Sequence, residues 1–86
     1  MMKEITTKSG FCVSIDMDVL DNMELLDALA ELEENELATS KVAKMVLGAD
    51  NKKRLYDHLR TDKGNVPVEA FYAELTEIMG ELDVKN

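Results

Sequence analysis

The apolar positions change period as the chain proceeds. In "EITTKSGFCVSID" they alternate: Phe11, Val13 and Ile15 share one face, Cys12, Ser14 and Asp16 the other, and "KSG" supplies turn residues between two β-rich runs. This pattern predicts an N-terminal β-hairpin over residues 1–16 with one face inward. From Asp16 onward the period lengthens to that of a helix. Asp16 or Asp18 offers an N-cap, and two apolar rows interleave, with Met23, Leu26 and Ala30 beside Leu25, Leu29 and Leu32. Together they make an apolar face wider than one packing partner requires. The acids Asp18, Asp21 and Glu24 suit the positive end of the helix dipole, whereas Glu31, Glu33 and Glu34 oppose its negative end, so fraying is expected by about Glu34.

A second helix is expected from about Leu37, with Ala38, Val42, Met45 and Val46 on one face and a stop at Gly48, a residue suited to a left-handed cap. Asp50 then offers a cap for a short third helix in "NKKRLYDHLR", with Leu55 and Leu59 inward and Lys52, Lys53 and Arg54 outward. The loop "TDKGN" follows, and Pro67 with Glu69 marks a new start. In the last helix Val68, Phe71, Leu75, Ile78 and Leu82 recur at steps of three and four, and all five are assigned to the core; Gly80 weakens its end. The expected fold is α+β, mainly α: a β-hairpin followed by about four helices in a compact bundle. Residues 1–86 form one small domain, with a helical part over 17–83 and a disordered tail at 84–86.

Composition adds softness to this picture. With no Trp, two Phe, two Tyr and six Met, the core is aliphatic and adaptable, and modest stability helped by self-association, a homo-oligomer, is expected. The single cysteine, Cys12, cannot pair within the chain; between Phe11 and Val13 it reads as a small packing residue in a reducing cytosol rather than a reactive thiol. The start "MMKEITTKSG" lacks the apolar run of a signal peptide, and no apolar run is long enough to span a bilayer, so a soluble intracellular protein is expected, with no membrane contact.

Charge narrows the partners. A net charge of −8 argues against nucleic acid, because phosphate contacts need lysine and arginine in excess. Its distribution is uneven: Asp16 to Glu36 holds nine acids and no bases, Leu37 to Lys63 holds seven bases against three acids, and the remainder from Gly64 is again acidic. Such a dipolar chain is able to fold its basic middle onto its acidic flanks, or to dock head to tail with a copy of itself. The acidic run is also able to imitate a polyanion toward a basic protein.

Chemistry is thinly represented. As a calcium loop, "DMDVLDN" places Leu20 at a ligand position and Asp21 at the glycine position, and "TDKGNVPVEAF" places Leu59, Lys63 and Ala70 at ligand positions, so neither supports a metal site. His58 is the only histidine and reads as a surface residue of a basic helix. No nucleophile–histidine–carboxylate set assembles, and the four scattered glycines form no phosphate cradle. No catalytic residue, metal or cofactor is assigned.

The order of segments is more specific than any one motif. "VSIDMDVLDNMELLDALAE", then "KVAKMVLGADNKKRLYDHLR", then "TDKGNVPVEAFYAELTEIM" resembles the small tail assembly chaperones of long-tailed phages and prophages, over Val13 to Met79. In such proteins an aspartate-rich entry and an "ELL" helix precede a helix stopping at "LLG"-like residues, and an "LR-D-x-G-x-V" loop leads into a closing amphipathic helix. Two departures are Met23, where an aromatic is frequent, and Lys63, which interrupts the acidic loop. The resemblance implies a non-catalytic protein of the bacterial host cytoplasm that binds the tape measure protein, recruits tail tube subunits, and is absent from the mature virion. It also implies a longer companion made by ribosomal frameshift, of which this chain fits the shorter product. Met23, Leu26 and Ala30 are the residues expected to meet the partner.

Overall fold

Alternation in the first sixteen residues becomes a two-stranded antiparallel sheet. Strands β1 (Met2–Thr6) and β2 (Cys12–Asp16) pair with Met2 opposite Asp16 and Thr6 opposite Cys12. The loop between them closes with the Gly10 N–H donating to the Thr7 carbonyl at 2.9 Å and the Thr7 N–H to the Phe11 carbonyl at 2.9 Å. Gly10 sits at φ 92°, the positive-φ position that a three-residue hairpin loop needs. Ile5, Phe11, Val13 and Ile15 turn into the core. The computed structural model describes residues 1–82; Asp83 and the stretch 84–86 read as a tail lie outside the described residues.

The expected cap divides into two. Asp16 Oδ1 accepts from the Asp18 N–H at 3.0 Å, but it caps only a short 3₁₀ turn, Met17–Leu20. Helix α1 (Met23–Glu34) has its own cap, Asn22, whose Oδ1 accepts from the Glu24 N–H at 3.0 Å. It ends where opposing carboxylates collect at the C-terminus, and Asn35 repeats the capping contact for a second 3₁₀ turn, Glu36–Ala38.

The expected count of about four helices becomes three. Helix α2 runs Thr39–Leu59 and holds the expected break inside it: Gly48 has φ 83° and ψ 163°. That ψ lies far from the left-handed helical region, so Gly48 does not act as the expected cap; Ala49 and Asp50 already belong to the next helical arm. Asp50 is therefore not the cap that its type suggests. Helix α3 (Val68–Glu81) follows a loop in which the Thr61 N–H donates to the Asn65 carbonyl and the Gly64 N–H to the Thr61 carbonyl. The Arg60 guanidinium donates to the Gly64 carbonyl at 2.7 Å, so this loop is closed by its own arginine.

One core serves all elements. Ile15, Leu25, Leu55, Ile78 and Val42 are its most deeply buried large side chains, drawn from the hairpin and all three helices. Each such aliphatic side chain contributes roughly 1.5–3 kcal/mol by leaving water. Helix α2 is central, touching α1, α3 and the hairpin. Among the described residues, no helix is long and apolar enough to cross a membrane.

Gly48 occupies a region of backbone space nearly exclusive to glycine, and a Cβ there would meet no atom within 4 Å. Gly48→Ala is thus a test of backbone strain without crowding: urea denaturation is expected to show a loss of about 1–3 kcal/mol, with the fold retained.

Candidate partner-binding surface

The two apolar rows of α1 separate once the helix is docked. Leu25, Ala28 and Leu29 are buried, while Met23 and Leu26 keep 68% and 48% of their surface and Ala30 is also exposed. The dividing cause is geometric: the helix meets the core on one side only, and residues a half-turn away face water. Met23, Leu26 and Ala30 thus lie along one exposed apolar row, with carboxylates on both sides.

Those carboxylates are poorly answered. Among the described residues, the ion pairs are Lys41 with Glu31 at 3.6 Å, the amino terminus with Asp16 at 3.6 Å, and Arg60 with Asp57 at 3.3 Å. The basic middle does not fold back over α1 as a block. Arg54 instead donates to the Cys12 carbonyl at 2.8 Å and lies 5.2 Å from the Phe11 ring centre, and Lys52 donates to Ser40 Oγ at 2.6 Å. The nine-acid run therefore stays mostly unneutralised, which leaves a negative field around the apolar row.

A second apolar feature was not visible as such in the sequence pattern. Val68, assigned there to the core, is 78% exposed; it stands at the first residue of α3, before the helix reaches the body. Tyr72, one turn later, is 46% exposed, and Leu37 is 87% exposed. They border two clefts. One, of about 270 Å³, is lined by Leu29 and Leu32 of α1, Val42 of α2, and Tyr72, Leu75 and Met79 of α3. The other, of about 250 Å³, is lined by Leu37, Tyr56, Val66, Val68 and Phe71. The available signal was a second stripe in α3: Val68, Tyr72, Leu75 and Met79 recur at steps of four, three and four.

Cys12 also departs from expectation. It lies exposed on the outer face of β2, with Sγ 3.4 Å from Thr6 Oγ1, because the alternation that buries Phe11 and Val13 turns Cys12 outward. It is no core packing residue. His58 is a surface residue of α2; its Nε2 lies 3.1 Å from Ser9 Oγ and its ring packs 5.5 Å from Phe11.

Ser9 links that histidine to a buried acid. Glu74, only 7% exposed, accepts from the hydroxyls of Thr7 and Ser9, each at 2.8 Å, and the Phe11 N–H donates to Thr7 Oγ1 at 3.2 Å. Since the Ser9 hydroxyl hydrogen points to Glu74, His58 Nε2–H is the donor to Ser9 Oγ. The hydroxyl is thus directed toward a carboxylate and away from the imidazole, a clamp between hairpin and α3. The Lys8 N–H reinforces it by donating to Glu77 Oε2 at 2.9 Å. Among the described residues, no group of three His, Cys, Asp or Glu side chains gathers in a way that could hold a metal ion.

No protein-family model matches the chain, and neither a curated protein nor a solved structure matches it.

The clamp makes Thr7→Val informative, because the shape is kept and one hydroxyl is lost. Chemical denaturation is expected to show a loss of about 1–3 kcal/mol, the cost of leaving a buried acceptor short of a partner.

Proposed function

We propose that this chain is a non-catalytic tail assembly chaperone that binds the tape measure protein of a long-tailed phage or prophage in the bacterial host cytoplasm. The observation that carries the reading is the exposed row Met23, Leu26 and Ala30 on a helix without a single base. A long helical tape exposes an apolar stripe until the tail tube surrounds it, and a methionine-bearing ridge adapts to successive registers of such a stripe. The surrounding carboxylates keep a coated complex soluble through mutual repulsion. In this role tail tube subunits and a longer frameshift product are further partners, and the protein departs before the virion is complete. Self-association of the free chain covers the same row when the tape is absent.

A second reading draws on the same helix differently. Asp21 and Asp27 are exposed and take part in none of the ion pairs among the described residues, which suits an acidic mimic docking on a basic protein. The two readings part on chemistry: an apolar stripe resists salt, whereas carboxylate contacts are screened by it.

Co-expression with the tape measure protein tests the first reading. The wild-type chain is expected to raise the soluble fraction of the tape, and Met23→Lys with Leu26→Lys to abolish most of that gain while leaving the chaperone's own melting temperature nearly unchanged. A tape that stays insoluble beside abundant wild-type chain refutes it. Loss of partner binding on Asp21→Asn and Asp27→Asn, together with steep salt dependence, favours the acidic mimic instead.

A further inference from the structure

The cleft that Leu37 and Val68 border holds both halves of an apolar contact. Its floor is sheltered: Phe71 is buried, and Tyr56 and Val66 are partly buried. Leu37, in the 3₁₀ turn Glu36–Ala38, and Val68, the first residue of α3, line the same cleft at 87% and 78% exposure. Two projecting aliphatic side chains and a hollow of about 250 Å³ thus stand in one patch. Leaving both side chains in water forgoes most of the free energy that their burial would supply.

The charges at this cleft are of both signs. Glu36 is exposed and lines it. Four residues on, Ser40 Oγ accepts from the Lys52 ammonium at 2.6 Å, and the same ammonium lies 5.5 Å from the Tyr56 ring centre. Among the described residues neither Glu36 nor Lys52 takes part in an ion pair. A basic partner would answer the carboxylate and repel the ammonium, and an acidic partner would do the reverse. A surface that carries the same two charges in reversed order answers both. A two-fold axis through the patch produces that surface from a second copy, with Glu36 of each chain facing Lys52 of the other. The same operation sets the Leu37 and Val68 of each chain over the hollow of the other.

We infer that this cleft is a two-fold interface between copies of this chain, centred on Leu37 and Val68 and oriented by reciprocal Glu36–Lys52 pairs. The inference goes beyond the chaperone reading and does not rest on it, since no residue of the Met23, Leu26 and Ala30 row lines the cleft. A contact built on one such patch falls at the small end of specific interfaces, so the dimer exchanges with monomer at concentrations on the order of micromolar.

Sedimentation equilibrium of the full chain is expected to show a reversible monomer–dimer system. Leu37→Ser with Val68→Ser alters two exposed positions and no charge, and is expected to weaken the dimer about ten-fold or more, with the fold intact by circular dichroism. Glu36→Lys and Lys52→Glu are each expected to weaken it several-fold, and both changes in one chain to restore it, because the reciprocal pairs form again with their signs exchanged. A chain that stays monomeric up to about 1 mM overturns the inference. So does a dimer that withstands the Leu37 and Val68 changes but is lost on Met23→Lys with Leu26→Lys, which places self-association on α1. A double exchange that fails to restore the dimer overturns the two-fold arrangement. A monomer that shields Leu37 and Val68 from hydrogen exchange only when bound to co-expressed tape measure protein gives the patch to that partner and overturns the second copy as its occupant.

Discussion

At Gly48 the backbone of α2 leaves helical geometry for one residue, and the two arms on either side take different partners. The first arm places Lys41 beside Glu31 of α1 and Val42 beneath the cleft. The second carries Arg54 to the Cys12 carbonyl, His58 to Ser9, and Tyr56 to the edge of Phe71 on α3, 5.2 Å between ring centres. An unbroken helix of 21 residues would run straight for about 31 Å, whereas the kink at Gly48 gives the two arms separate directions. The break is therefore what lets one helix serve as floor for α1, α3 and the hairpin together.

The hairpin is held to this floor by polar as well as apolar contacts. Its inner face contributes Ile5, Val13 and Ile15 to the core, and its loop delivers Thr7 and Ser9 to Glu74. A buried carboxylate is costly unless its oxygens are occupied, and two hydroxyls from a tight turn occupy one of them at 2.8 Å. This clamp fixes how α3 stands relative to the sheet. With α3 held on that side, its opposite face is left to border the cleft with α1.

Acid placement and apolar exposure belong to the same arrangement. An exposed row such as Met23 and Leu26, together with Leu37, Val68 and Tyr72, favours indiscriminate association in a neutral protein. Here it is set among carboxylates that few cations answer, so a negative field surrounds it.

Much of the local structure was legible in the residues themselves. The alternation of Phe11, Val13 and Ile15, the acid-loaded end of α1 near Glu34, the break at Gly48 and the core row Phe71, Leu75, Ile78 and Leu82 all follow from period, dipole and backbone freedom, which are local properties. The sequence also displayed both rows of α1, since periodicity reveals how wide an apolar face is. Which row faced inward, and that Val68 and Cys12 face water, depended on where neighbouring elements end. Whether Gly48 closed a helix or bent one depended on ψ, which the packing of both arms sets. The cleft between α1 and α3 is likewise a tertiary fact. Its lining residues span Leu29 to Gly80, and no local rule relates positions so distant along the chain until α2 brings them to opposite walls.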